Sequence, residues 1–257
     1  MAVPTDNGAW IRRFHPAPDA PTRLVCFAHA GGSASYFYPV SQALSPGLDV
    51  LAVQYPGRQD RRAEPAFEDV PRLVDALVDQ VAVWADRPLA LFGHSLGATV
   101  AFEVARRLQA RGTEVSALFA SGRRAPSRHR PAWVHEGDDD ALISEMLKLE
   151  GTDAQMLTDP ELVRMILPAL RADYKAAETY RYQPGPPLTC PVYALTGDAD
   201  PQVDVPDAES WREHTTGPFA LHVFSGGHFY LNRHAPQVMA LIRRHAADGV
   251  VAGHARA

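Results

Sequence analysis

The sequence predicts an α/β protein: a mostly parallel central sheet flanked by helices, with a helical insertion. Three observations carry this. Short apolar runs bounded by turn residues recur at Arg23–Ala28, Asp49–Tyr55, Leu89–Phe92, Val115–Ala120 and Pro191–Thr196, and read as buried strands. Helical spacing fills the gaps between the early runs, and such alternation implies right-handed crossovers and a parallel sheet. The rhythm then breaks from about Arg123 to Pro187, where helical stretches occur without a strand candidate. The 257 residues are long enough for one large domain with a substantial core. They read as one domain (1–257), with a lid insertion over about 125–187 and a small, polar tail at 248–257 that frays.

In chain order, Trp10–Phe14 alternates and predicts an edge strand, followed by a proline-marked turn at Pro16–Pro21. Ser35–Leu44 predicts a short helix. Val70, Leu73, Val74, Leu77, Val78, Val81 and Trp84 recur at helical spacing, an amphipathic helix that packs on a sheet. Arg111-Gly112 closes the helix after the run at 89–92. In the insertion, Asp138–Leu149 reads as a helix with acidic residues in its first turn. A second begins at Thr158-Asp159-Pro160-Glu161, a cap followed by proline in the first turn, and reaches about Tyr182. Pro168 is expected to kink or split it. After Pro191–Thr196 come the loop Gly197–Pro201, a helix near Ala208–His214, a strand at Phe219–Phe224, the turn Gly226-Gly227-His228, and a closing helix Tyr230–Ala246.

A net charge of −5 argues against a generic nucleic-acid binder. No run approaches the length of a membrane-spanning helix, and Met1–Gly8 lacks the basic-then-apolar pattern of a signal peptide, so a cytoplasmic protein is expected. Cys26 and Cys190 lie in apolar, strand-like contexts and are expected as buried free thiols. Neither has C-x-x-C spacing, so no metal or redox site is expected, and no cofactor.

The chemistry centres on Gly93-His94-Ser95-Leu96-Gly97, a G-x-S-x-G turn between the run at 89–92 and the helix that starts near Ala98. Such a turn holds a serine hydroxyl out at the edge of the sheet. A serine is a poor nucleophile at neutral pH and needs a general base within reach. Where a nucleophile elbow occurs, the partners follow in chain order as acid and then histidine. Asp200 and His228 fill these places, each in a loop just after a strand and at the same edge as Ser95. Asp198 is the rival acid, read as a backbone-bonding loop residue; His94 is read as packing or orienting the elbow. The oxyanion hole needs two backbone N–H groups, one from Leu96, after the nucleophile, and one from the loop His29-Ala30-Gly31-Gly32, with Ala30 the preferred donor.

Together, Phe27-Ala-His-Ala-Gly-Gly-Ser33, Val53-Gln-Tyr-Pro-Gly-Arg-Gln-Asp-Arg-Arg62, Gly93–Gly97, Gly197–Pro201 and Gly227-His-Phe-Tyr230 resemble the type II thioesterases, editing hydrolases of polyketide and nonribosomal peptide assembly lines with an α/β-hydrolase fold. The resemblance runs from about residue 10 to 246, and Gln54–Arg58 is its most specific part. Ala28 stands where that family is expected to carry proline, a change at a strand end. The resemblance implies the triad Ser95, Asp200 and His228, oxyanion donors Ala30 and Leu96, and a mainly helical lid. It also implies the substrate: an acyl group on the phosphopantetheine arm of an acyl or peptidyl carrier protein. A monomer is expected. Arg123, Arg124, Arg128 and Arg130 form a basic run at the catalytic edge, and Arg58, Arg61 and Arg62 lie on another loop there. Some of these are expected to meet an acidic carrier protein, or else they simply solvate the lid boundary. A chain-releasing cyclase or acyltransferase, a generic carboxylesterase and a non-catalytic binding protein are the competing readings. The start at Met1 without a long upstream domain favours a free-standing hydrolase.

Overall fold

The computed structural model describes residues 8–149 and 159–247. Its strands are β1 (Ile11–Arg12), β2 (Thr22–Phe27), β3 (Leu48–Val53), β4 (Leu89–His94), β5 (Ala117–Ser121), β6 (Val192–Gly197) and β7 (Phe219–Phe224). Its helices are α1 (Tyr38–Leu44), α2 (Val70–Ala82), α3 (Leu96–Ala110), α4 (Asp139–Leu149), α5 (Pro160–Thr179), α6 (Val205–Glu209), α7 (Tyr230–Arg233) and α8 (Ala235–His245). The strands form one sheet in the order β1-β3-β2-β4-β5-β6-β7. The edge strand β1 pairs antiparallel with β3, and the remaining pairs are parallel. Strands β2 to β6 are buried along their whole length, which is why they read as continuous apolar runs: both faces of a parallel sheet are covered.

The topology positions the site. β2 and β4 are neighbours, Phe27 opposite Gly93, although β3 separates them in the chain. From β2 the chain steps outward to β3, then turns back and builds the rest of the sheet from β4 onward. Reversing direction with right-handed crossovers sends the helices to opposite faces: α1 packs with α8, and α2 with α3. A crevice opens at the carboxyl ends of the two strands where the direction reverses. In α2, Asp69 caps the first turn by accepting the Arg72 N–H at 2.9 Å, and Val70, Leu73, Val74, Leu77, Val78 and Val81 are buried. Burying each such side chain contributes ~1.5–3 kcal/mol.

Between β5 and β6 lie α4 and α5, with no strand among the described residues. Asp159 caps α5, accepting the amides of Glu161 and Leu162. Leu142, Leu167 and Leu170 form a small core against which Ala30 of the body packs. Pro168 does not split α5, which runs unbroken from Pro160 to Thr179. The proline sits on its exposed side. The closing helix, by contrast, is two helices meeting at His234. Pro236 has no N–H for the carbonyl of Asn232, which interrupts the helical hydrogen-bond ladder at this point. The helix expected near Ala208–His214 starts earlier, at Val205, and tightens into a 3-10 turn over Ser210–His214. Cys26 and Cys190 are buried free thiols. No helix among the described residues is long and apolar enough to cross a membrane. Thr158 and the tail from 248 lie outside the described residues.

Candidate active site

Ser95 stands between the last residue of β4 and the first of α3, with φ 55° and ψ −120°. This is costly for a residue with a side chain, of order 1–3 kcal/mol, so its surroundings must enforce it. They do: Ser95 N–H donates to the Ser121 carbonyl at 2.8 Å, and Ala98 N–H to the Ser95 carbonyl at 3.0 Å. The flanking glycines are dictated by space. A Cβ on Gly97 would lie 2.1 Å from the Phe27 carbonyl oxygen, and one on Gly93 equally close to that of Gly97. The turn can therefore be this sharp only with hydrogen at both positions.

Asp200 and His228 meet. Asp200 Oδ2 lies 2.8 Å from His228 Nδ1, with both side chains almost wholly buried. An ionised carboxylate only accepts, so Nδ1 carries the proton and the lone pair of the neutral ring is on Nε2. The second Asp200 oxygen accepts the Gln202 amide at 2.8 Å. Asp198 has a different employment: its Oδ1 accepts the Gly226 N–H at 2.8 Å. Ser95 and His228 line the same cavity. Among the described residues, the Ser95 hydroxyl has no hydrogen-bond partner, a looseness common before substrate arrives.

The amides of the 29–32 loop can be sorted by what they already do. Gly31 N–H donates to Asp173 Oδ2 at 2.8 Å, and Gly32 N–H to the His29 carbonyl at 2.9 Å. Among the described residues, the N–H groups of Ala30 and Leu96 have no acceptor. Leu96 is the first residue of α3, where helix geometry leaves amides unpaired and the dipole favours negative charge.

Beneath the turn runs a buried polar chain. His94 Nδ1 and Ser121 Oγ are 2.9 Å apart, and Ser121 Oγ and the Tyr230 hydroxyl 2.6 Å. His94 thus supports the elbow from below. Burial drives His94 well below its usual range, with the charge of His228 adding to it. His29 falls to about 3, again through burial first and then the His228 and Arg58 charges. Of these three clustered histidines, His29 and His94 are held neutral.

The cavity has a volume of about 120 Å³. Ala30, Ser95 and Leu96 line it from the sheet, and Met146, Leu149 and Tyr174 from the insertion. The basic run divides at this boundary. Arg123 points into the cavity wall and donates to the Ala177 carbonyl at 3.1 Å; burial, then Arg124, lowers it to about 10. Arg124 is bonded to the Gln202 carbonyl. Arg128 and Arg130 are exposed, but each is paired with an acid, Glu213 and Asp204 respectively. Arg123 is thus a cavity residue rather than a surface one. Arg58 and Arg61 are likewise unavailable to a partner: both are buried, paired with Asp173 and Glu64, which leaves Arg62 as the exposed arginine of that loop.

Sequence reasoning passed over Asp173. The signal existed: Leu167, Leu170 and Ala176 place the buried face of α5 at helical spacing, and an acid at 173 falls within that stripe. An acid there needs a buried partner, and Arg58 supplies it.

The thioesterase domain family matches residues 22–246. The thioesterase PikA5 of Streptomyces venezuelae is 56% identical over 229 residues, covering 88% of this chain and 82% of that protein. A probable cadicidin biosynthesis thioesterase of Streptomyces griseus is 52% identical, covering 89% of this chain and 63% of the relative. Among solved structures, the type II thioesterase BorB of the borrelidin biosynthetic cluster superposes with a TM-score of 0.88 at 53% identity, covering 92% of this chain and 97% of BorB.

Proposed function

The chain belongs to the thioesterase family and to its type II branch, and we propose that it hydrolyses acyl groups from the phosphopantetheine arm of acyl or peptidyl carrier proteins, with Ser95, His228 and Asp200 as the triad. The observation that carries this is the 2.8 Å bond from His228 to Asp200 in the wall of the cavity that Ser95 enters. That bond engages Nδ1 and leaves the other imidazole nitrogen free to serve as the base for the serine.

In this reading His228 Nε2 takes the Ser95 proton as the oxygen attacks the thioester carbonyl. The developing oxyanion is met by the N–H groups of Ala30 and Leu96, worth about a hundredfold or more in rate for each donor. Collapse expels the pantetheine sulfur, which receives the proton from His228. Water then attacks the acyl-serine, giving its proton to the same nitrogen, and the acid leaves as Ser95 is restored. Asp200 keeps the imidazole oriented and stabilises its charged form. The insertion acts as a lid, and the reaction takes place in the cytoplasm on an enzyme acting as a monomer. Mis-primed or stalled units are the acyl groups removed.

Incubation with several acyl-loaded carrier proteins, followed by mass spectrometry, tests the reading. Acyl loss to free acid that disappears in Ser95→Ala is expected. Loss to a ring or to an acyl-transfer product would replace hydrolysis with release or transfer, and Ser95-independent or absent loss would overturn the reading.

A further inference from the structure

The lid helix touches the oxyanion loop at two points one turn apart. From α5, Asp173 accepts three hydrogen bonds: Oδ2 from Gly31 N–H at 2.8 Å and from Arg58 Nη1 at 2.7 Å, and Oδ1 from Arg58 Nη2 at 2.9 Å. Leu170 comes so close that a Cβ on Gly31, whose φ is +75°, would lie 2.9 Å from its Cδ1. Ala30 meanwhile packs on the Leu142–Leu167–Leu170 core of the insertion. The residue that presents the free amide is thus held between two contacts to the insertion.

Arg58 completes the clamp from below. Its Nη1 also donates to the Gly32 carbonyl at 3.0 Å and its Nε to the Pro56 carbonyl at 3.2 Å. Gln54 closes the ring: its Oε1 accepts the Ala34 N–H at 3.0 Å, and its Nε2 donates to the Arg58 carbonyl at 3.3 Å. Burial opposes the Arg58 charge, but Asp173 outweighs it and holds the guanidinium above its ordinary range. Stability alone is a weak reason to keep such a pair, since replacing both partners with apolar side chains is often neutral. A carboxylate placed where lid, loop and body meet has a geometric reason.

We propose that Asp173 is a positioning residue of the oxyanion site: by holding Gly31 and Arg58 from the lid helix, it aims the Ala30 amide into the cavity, so that a competent site exists only while α5 is docked. This rests on the proposed role of Ala30, and makes lid and oxyanion hole one cooperative unit.

The test uses a small acyl-pantetheine thioester with four proteins: wild type, Ser95→Ala, Asp173→Ala and the apolar pair Arg58→Met/Asp173→Leu. The double variant removes the clamp without leaving a buried charge unpaired. Its kcat is expected to fall about 10- to 100-fold, up to the loss of one oxyanion donor, with KM changed less than about threefold and the melting temperature near that of wild type. A double variant with wild-type kcat, or one losing through KM alone, overturns the proposal. Should the variants not fold, the wild type decides: hydrogen exchange of residues 28–33 and 167–177 should open together as urea is raised below the unfolding transition, and independent opening overturns it. Activity surviving in Ser95→Ala would instead reject the serine mechanism, a separate failure.

Discussion

Asp198 reaches across to Gly226, its Oδ1 accepting that backbone N–H at 2.8 Å, and so ties the loop that carries Asp200 to the turn that carries His228. Two further bonds run in parallel, from Asp198 N–H to the Phe224 carbonyl and from Ala199 N–H to the Gly226 carbonyl. The distance between Asp200 and His228 is therefore set by backbone as much as by their own contact. The two acids should then separate cleanly. Asp200→Asn is expected to lower kcat by up to about 10⁴-fold, because the imidazole loses its tautomer and its charge partner. Asp198→Ala, whose carboxylate is exposed, should cost about 1 kcal/mol of stability and only a few-fold in kcat. Steady-state kinetics and thermal melts on both variants check this, and equal losses of kcat would exchange the roles.

The neutral histidines make stability depend on acid. His29 is buried with its pKa lowered to about 3, whereas in the unfolded chain it titrates near 6.5. Below that value the unfolded state takes up a proton that the native state refuses. Stability is thus fully present above about pH 6.5 and falls as pH drops toward 3, at about 1.4 kcal/mol per pH unit for each such group. His94, also buried, adds in the same direction. Urea unfolding at pH 7, 6 and 5 should show a steepening loss, and His29→Phe should flatten it by about one group's share. An unchanged slope in that variant would mean that His29 is not the source.

How much of this was legible follows from what local pattern encodes. Strands β2 to β6 were readable because both their faces are buried, so each is a continuous apolar run. Ser95 was readable because the steric limits at Gly93 and Gly97 leave a five-residue signature. His228 and Asp200 needed only the order of the strands. The Arg58–Asp173 pair was not readable as a pair, since its partners lie on a loop and a lid helix that only tertiary packing brings together. Their separation also explains why the arginines of 58–62 looked like a surface: charge in a sequence is silent about burial. The break at His234 was hidden by a helical apolar stripe that continues in register across it.

The surface proposed to meet a carrier protein is narrower than the whole basic run. Arg128 and Arg130 are exposed at the cavity rim, while Arg123 is bonded to the insertion helix α5 and Arg124 to the loop at Gln202. Exposed ion pairs contribute little to stability, about 0–1 kcal/mol, so Arg128→Glu/Arg130→Glu should melt within a few degrees of wild type. The double reversal should lower kcat/KM for an acyl-carrier protein about tenfold at low salt, with the deficit shrinking as salt screens it, and leave a small pantetheine thioester unaffected. Equal effects on both substrates would remove these residues from the docking surface.

Ser121 links three elements that converge under the elbow: its carbonyl holds Ser95 N–H, and its hydroxyl lies between His94 and Tyr230. Two substitutions probe this link unequally. Tyr230→Phe removes a hydroxyl whose partner, Ser121, keeps a second contact with His94, so the expected loss is about 1 kcal/mol. Ser121→Ala leaves both His94 Nδ1 and the Tyr230 hydroxyl buried without a partner, and His94 Nε2 already lacks one. Each orphaned group costs about 1–3 kcal/mol, so Ser121→Ala should be the more destabilising by at least about 1 kcal/mol. Because Ser95 is held strained by the Ser121 backbone rather than its side chain, kcat should fall less than stability does in both variants. Chemical unfolding and kinetics together test the pair. A Tyr230→Phe variant as damaged as Ser121→Ala would show that the tyrosine hydroxyl, not the serine, anchors the chain.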